Sequence, residues 1–305
     1  MHRNGPLKRH YPDTLMPAPR TSTTSTTSTN PSSSTPPSTA TARRIRWPAI
    51  VTGSVGLHLG AGAATLVAPH IWPWTLGAVV ADHAVLAFSG LWPRSRWMGS
   101  NWTHLPDVAA ARGAVALSFD DGPDPEVTPR VLDLLDAASV RATFFVIGTR
   151  VKAHPALARE IVRRGHALEN HSFRHVHTFS ISGPRAMRRE IVEGQRIIAD
   201  TTGFEPRCFR APAGLRNPFL DPLLQQLGLQ LVSWTRRGFD TREADPAVVS
   251  ARLLHGLAPR DILLLHDGHA AGSGDGRPVI LDALPRVLDA VARAQLTPVL
   301  IRDML

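Results

Sequence analysis

One cysteine in 305 residues, Cys208, excludes an intramolecular disulfide and any cysteine-built metal centre. It reads as a small buried side chain at a strand end, and the redox compartment stays open. Lysine is almost missing: Lys8 and Lys152 are the only two among 34 basic residues, an arginine bias that reflects base composition rather than chemistry. Acidic residues are scarce only upstream. Residues 1–112 carry 10 Lys+Arg and 3 Asp+Glu, whereas 113–305 carry 24 and 22. The surplus positive charge therefore lies in a low-complexity tail or beside apolar runs. That placement excludes a basic, phosphate-tracking face downstream, and with it a nucleic-acid partner.

Residues 1–46 have little that could bury a core. They are rich in Ser, Thr and Pro, with Thr21 to Thr29 in near-repeat, and read as a disordered basic tail in which Met16 offers a later start. Residues 47–93 form an apolar membrane segment of one or two helices, roughly 48–69 and 72–92, each long enough at ~20 residues to span a bilayer. Trp72, Trp74 and Trp92 suit interfacial belts, and abundant Gly and Ala suit close helix packing. Asp82 and His83 interrupt the second stretch, where a mid-membrane charge costs roughly 2.5–3.5 kcal/mol. One span and two both remain open. With two, both flanks share a side that Arg43, Arg44, Arg46, Arg94 and Arg96 place in the cytoplasm; with one, the rest of the chain faces outward. Either case implies anchoring in a bacterial-type inner membrane. A cleaved signal peptide fits poorly, because the apolar run starts late and no small-residue cleavage site closes it. The competing reading is a buried helical hairpin of a soluble protein.

After a linker, 94–112, residues 113–305 alternate short apolar runs with amphipathic ones. Strands are expected at 115–119, 142–147, 167–169, 207–209, 229–234, 262–265 and 297–300. Helices are expected at 127–138, 155–164, 184–201, 218–227, 246–255 and 278–294, several opening on Pro, where its missing N–H costs least. Seven strands with helical crossovers imply an α/β fold, either a parallel barrel or an open doubly wound sheet. In both, chemistry belongs at the carboxyl ends of the strands.

Those ends carry Asp120 and Asp121, His171 and His175, Arg210, Asp240, and His266. Gly122 and Pro123 stop the first strand, so the adjacent carboxylates fall on a turn and escape the strict alternation of a strand. His171 and His175 have the His-x3-His spacing that lets two imidazoles meet one ion, and a carboxylate completes a three-ligand site. Two histidines and one carboxylate also describe non-haem iron oxygenases, but that reading leaves Asp120, Asp240 and His266 idle. A hydrolase employs them all: a metal to acidify water, a carboxylate to take its proton, and a histidine, oriented by Asp240, to protonate a leaving nitrogen.

In these residues the chain resembles the polysaccharide deacetylases with a NodB homology domain, carbohydrate esterase family 4, over roughly 113–302 and in all five family motifs. The run 119–123 looks like the first motif, which implies Asp120 as base and Asp121 as metal ligand. His171 and His175 match the second and are implied as the other ligands. The run 209–214 is similar to the third, which implies that Arg210 orients the base and that Pro212 and Ala213 line the substrate site, with the Ala213 N–H supporting the oxyanion. Trp234 and Asp240 resemble the fourth, as groove wall and tether of the acid. Leu264 and His266 resemble the fifth, as acetyl pocket and general acid. The resemblance also implies a distorted parallel (β/α) barrel of about seven strands. It further implies a divalent metal, zinc or else cobalt, and removal of N-acetyl groups from amino sugars of a polysaccharide or peptidoglycan-type glycan.

Ala213 stands where the family usually has Tyr, and Thr241 where an aromatic commonly follows the Asp. Fewer aromatic platforms leave room for other substrates, namely a polyprenyl-phosphate-linked sugar that is deacetylated or deformylated at the membrane. An inactive membrane-tethered sugar-binding protein is a third reading. Asp124, Asp267 and His269 read as solvated loop residues, and Asn170 as a residue that orients the loop after it.

Overall fold

A computed structural model describes residues 45–274 and 276–305. The expected tail, Met16, Arg43 and Arg44 lie outside them. Two apolar helices come first, α1 (Ala49–Val67) and α2 (Trp72–Leu91), folded back on each other around a single 3-10 turn at Pro69–Ile71. Thr65 and Thr75 join their hydroxyls across that turn at 2.7 Å. Both helices are long and apolar enough to cross a membrane. Their apolar side chains point outward, with Leu59, Leu66 and Trp74 exposed by 71%, 84% and 82%. This is not the buried hairpin of a soluble core.

Both feet of the hairpin meet the α/β body. The Arg46 N–H donates to Gln225 Oε1 at 2.9 Å, Gln225 Nε2 donates to the Arg46 carbonyl at 2.7 Å, and the Arg216 N–H donates to the Gly90 carbonyl at 3.1 Å. The segment 94–112 packs rather than dangles, with Met98, Leu105 and Ala109 buried.

The body then runs β1 (Ala114–Asp120), α3 (Thr128–Ala137), β2 (Thr143–Val146), α4 (Gly148–Ala153), α5 (Pro155–Arg163), β3 (Ala167–Asn170), α6 (Pro184–Thr202), β4 (Cys208–Phe209) and α7 (Leu220–Leu227). It continues through β5 (Gln230–Leu231), β6 (Arg236–Arg237), α8 (Pro246–Leu254), β7 (Ile262–His266), α9 (Ile280–Arg293) and β8 (Thr297–Pro298). The strands pair in parallel in the order β5-β4-β3-β2-β1-β7-β6, with β8 beside the start of β1. Residues 232–235 carry the chain across the gap between the outer strands. The Val232 N–H bonds Phe209 on one side, the Thr235 N–H bonds Ile262 on the other, and Trp102 pairs with Val232 between them. The result is the expected distorted parallel (β/α) barrel. Sequence periodicity missed β6, because two arginines give no apolar alternation, and it overextended β5.

Alternation along β1 builds two layers. Val115, Leu117 and Phe119 face the helices, packed in one core with Val131, Leu135 and Leu284. Ala114 and Ala116 face inward toward Phe145, Cys208 and Ile262. Each large buried side chain contributes roughly 1.5–3 kcal/mol, so a one-residue slip that inverted the faces would be strongly disfavoured. This register turns Ser118 and Asp120 toward the barrel interior.

Candidate active site

Asp120 closes β1 beside His266, its register partner at the end of β7. The inward-facing Asp120 carboxylate meets Arg210, a fully buried guanidinium that fills the barrel interior. Arg210 Nη1 donates to Asp120 Oδ1 at 2.6 Å and to Ser118 Oγ at 2.9 Å, Nη2 donates to the Ser233 carbonyl at 2.8 Å, and the group stacks 4.0 Å over Phe145. These contacts fix one Asp120 oxygen and leave Oδ2 toward the cleft.

Asp121 leaves the strand in the left-handed region, φ 72°, which turns its side chain away from that of Asp120. Its Oδ1 is buried and accepts no hydrogen bond, yet stands 3.4 Å from His171 Nε2 and 3.3 Å from His175 Nε2. One donor atom from each of the three residues lies within 4.8 Å of the others. His171 Nδ1 contacts the Arg210 carbonyl at 2.8 Å, the outer contact that sets the tautomer of a metal-binding imidazole and aims Nε2 inward. Burial alone would raise the Asp121 pKa, but the imidazoles of His171 and His269 outweigh it and hold the carboxyl well below the usual range. Burial pushes His175 down to about 4, so its ring is neutral with a lone pair to give. Burial also works against a charged His171, but Asp120 and Asp121 more than reverse it and raise its pKa. The pair of carboxylates thus draws positive charge to this point, where a divalent ion would compete with a proton. An orphaned carboxylate oxygen, two imidazole nitrogens and an N/O donor set fit such an ion.

The His171–His175 loop is held from behind, as expected of Asn170. Asn170 Oδ1 accepts from the Ser172 N–H at 2.8 Å, while its Nδ2 donates to the Ile191 carbonyl at 2.9 Å and to Gln195 at 2.8 Å. Gly194 on α6 makes room: a Cβ there would stand 2.6 Å from Asn170 Oδ1. Gly194→Ala gains up to ~1 kcal/mol of helix propensity but costs ~1–3 kcal/mol in overpacking. A lowered melting temperature with weakened metal binding is the expected result. A stabilised variant with unchanged metal affinity would refute this account of the loop.

On the opposite flank, the fully buried Asp240 grips His266 twice, accepting from its backbone N–H at 2.7 Å and from Nδ1 at 2.8 Å. Burial depresses the His266 pKa, but the charge and hydrogen bond of Asp240, joined by the charges of Asp120 and Asp121, outweigh it, and the net shift is upward. Trp234, Leu264 and Ala213 line a cleft of about 290 Å³ together with the acidic and histidine groups. Pro212 is buried and does not line it. Gly214 adopts φ 71°, and a Cβ there would run into the Trp234 ring at 2.7 Å.

Sequence reasoning passed over three groups in the cleft, His177, Arg237 and Arg242, and read a fourth, His269, as a solvated loop residue. The His269 ring lies 3.4 Å from Asp121 Oδ2, although its side chain is 59% exposed. Arg237 follows from the unrecognised β6, where alternation sends Arg236 to Asp261 and Arg237 to the cleft. Asp267 corrects the expectation of a solvated residue. It is fully buried, accepts the Thr128 hydroxyl at 2.5 Å, and has a pKa raised by burial to about 7. Asp124 instead caps its own loop, accepting the N–H groups of Glu126 and Val127.

A family model for polysaccharide deacetylase matches residues 107–232. The peptidoglycan-N-acetylglucosamine deacetylase of Bacillus cereus is 35% identical over 176 residues, which covers 57% of this chain and 79% of the relative. The chain belongs to the polysaccharide deacetylase family. A second member, the chitooligosaccharide deacetylase of Sinorhizobium fredii, is 37% identical over 166 residues, or 54% of this chain and 76% of its own. Among solved structures, a family 4 carbohydrate esterase from Streptomyces lividans, in complex with acetate, superposes with a TM-score of 0.55 at 31% identity. That alignment covers 61% of this chain and 91% of the esterase. The family match spans β1 to β5 of the barrel.

Proposed function

We propose that the chain is a metal-dependent hydrolase that removes N-acetyl groups from amino sugars of a glycan, anchored to a membrane by the α1–α2 hairpin. The observation that carries this reading is the placement of Asp120 and His266 side by side, beside the Asp121, His171 and His175 cluster. Each has its own partner, Arg210 or Asp240. Asp121, His171 and His175 would hold the ion, zinc by donor type with cobalt an alternative, which supplies Lewis-acid polarisation and a water of lowered pKa. Asp120 would take the proton from the attacking water as the water oxygen bonds the acetamide carbon. The Ala213 N–H donates to the carbonyl oxygen as charge develops on it. His266, charged through Asp240, gives its proton to the nitrogen as the C–N bond breaks, releasing acetate and a free amine. Leu264 and Trp234 supply apolar walls for the acetyl methyl and the sugar. The names of the Bacillus and Sinorhizobium relatives support an N-acetylated glycan as substrate.

Acetate release from a panel of N-acetylated glycans and lipid-linked sugars, with and without chelator, tests this reading. Release from at least one substrate, abolished by chelator and restored by zinc or cobalt, is expected. Binding without any release would leave a sugar-binding protein in its place.

A specific contact favours a substrate held at the membrane. Pro93, just beyond α2, packs where a Gly214 Cβ would stand, and Gly214 lines the cleft beside Trp234. The catalytic groups therefore lie a side chain or two from the point where the chain leaves the hairpin, within reach of a sugar on a lipid phosphate. Both hairpin feet dock on the same body, and Arg46, Arg94 and Arg96 flank it, so the barrel is expected on the cytoplasmic side. A reporter fused after residue 100 should read cytoplasmic. An outward reading would count against a cytoplasmic lipid-linked substrate and favour a wall glycan.

A further inference from the structure

Asp82 is the only Asp, Glu, Lys or Arg in either hairpin helix, and it lies near the middle of the 20-residue α2. His58 lies at the middle of the 19-residue α1, with Ser54 one turn before it, and both face Asp82. At 1.5 Å rise per residue, this places His58 and Asp82 ~15 Å from either end of their helices, about the centre of a ~30 Å hydrocarbon core. Ser54 Oγ donates to Asp82 Oδ2 at 2.6 Å, and His58 Nδ1 stands 3.9 Å from the same oxygen. His83 brings a second imidazole, with its ring centroid 5.0 Å from that of His58 and the planes at 71°. That spacing is close to the 4.8 Å between the rings of His171 and His175 in the barrel.

Three further points bear on what this group holds. One donor atom each from His58, Asp82 and His83 lies within 4.8 Å of the others, the bound that Asp121, His171 and His175 also meet. Both rings rest Nδ1 on the carbonyl one turn back, His58 on Ser54 at 2.8 Å and His83 on Val79 at 2.9 Å. A neutral imidazole donating from Nδ1 keeps its lone pair on Nε2, the form in which histidine ligates metals. Finally, a carboxylate in hydrocarbon needs a positive partner, and a serine hydroxyl supplies none. Among the described residues, no Lys or Arg lies in either helix.

We infer that His58, Asp82 and His83 form a divalent-metal site at the centre of the hairpin, separate from the barrel cluster, which takes zinc or cobalt and clamps α1 to α2. Two imidazoles and a carboxylate are donors for borderline ions rather than for magnesium or calcium. Ser54 orients the carboxylate by its hydrogen bond. The site neutralises a charge that otherwise opposes insertion of α2.

The test uses the full chain in lipid nanodiscs, carrying His171→Ala and His175→Ala so that the barrel cluster contributes no signal. Titration with cobalt should give one equivalent per chain, with the visible absorption bands of a low-coordinate site. Adding His83→Ala should remove that equivalent and its bands. His83 is exposed on α2 and its ring hydrogen-bonds its own helix, so the hairpin should fold without it. Asp82→Asn, which keeps the Ser54 contact in shape, should do the same. Absence of stoichiometric cobalt in the His171→Ala, His175→Ala chain overturns the proposal. So does cobalt that survives both hairpin substitutions. Neither outcome depends on whether the barrel hydrolyses anything.

Discussion

Asp120→Asn is expected to lower the rate of acetate release by at least ~10² while the chain still binds its metal, because the amide keeps the shape of the carboxylate but cannot take a proton. The size of the effect rests on the absence of a substitute. Asp121 is directed to His171 and His175, Asp240 is buried against His266, and Asp267 is bonded to Thr128 away from the cluster. The same change has a second consequence. Arg210 has Asp120 as its carboxylate partner at 2.6 Å and is wholly buried, so the variant leaves a guanidinium without a counter-charge in the barrel. Breaking a buried pair in this way costs ~3–5 kcal/mol, and a lower melting temperature should accompany the lost activity. Metal affinity separates the two effects. A folded variant that binds metal within ~10-fold of the parent but turns over ~10²-fold more slowly isolates the proton-transfer role. Near-normal turnover of acetylated amino sugars in that variant would remove Asp120 from the mechanism.

The barrel was legible in the sequence wherever burial imposed a pattern. The runs that became β1, β2 and β7 are largely apolar because both faces of a parallel strand are covered, and the ends of β1 and β7 were readable because Asp120 and His266 break those runs. The site followed from the same ends. What periodicity could not supply was β6, two arginines whose strand character comes only from pairing with Leu263 and Leu264. With β6 went Arg237, which owes its place in the cleft to that strand. Asp267 was misread for a related reason. Its position on a loop suggested solvent, whereas Thr128 and the close approach of Gly122 enclose it, and both lie more than 100 residues away in sequence. The hairpin was legible as apolar helix, but the pairing of Ser54 and His58 with Asp82 required the register of one helix on the other.

His266→Ala is expected to reduce amide cleavage by ~10²–10⁴, the range for removal of a positioned acid. The loss should shrink sharply on an aryl acetate ester, whose leaving group departs without a proton. Asp240→Asn probes the same proton by another route. In the native fold the Asp240 carboxylate raises the His266 pKa against the opposing effect of burial, so the ring stays protonated to higher pH than a free histidine. The asparagine removes the charge and leaves the burial, which by itself favours the neutral ring. The His266 pKa must then fall, and the alkaline limb of kcat/KM must move to lower pH. Activity should be depressed most above the old limb and recover relative to the parent as the pH drops, a pattern that a merely structural role would not give. The loss on the alkaline side should deepen as the pH rises past the shifted limb, where the protonated fraction of His266 falls. An alkaline limb that stays in place in Asp240→Asn would assign it to some other group, and an equal loss on amide and aryl ester in His266→Ala would deny His266 the role of acid.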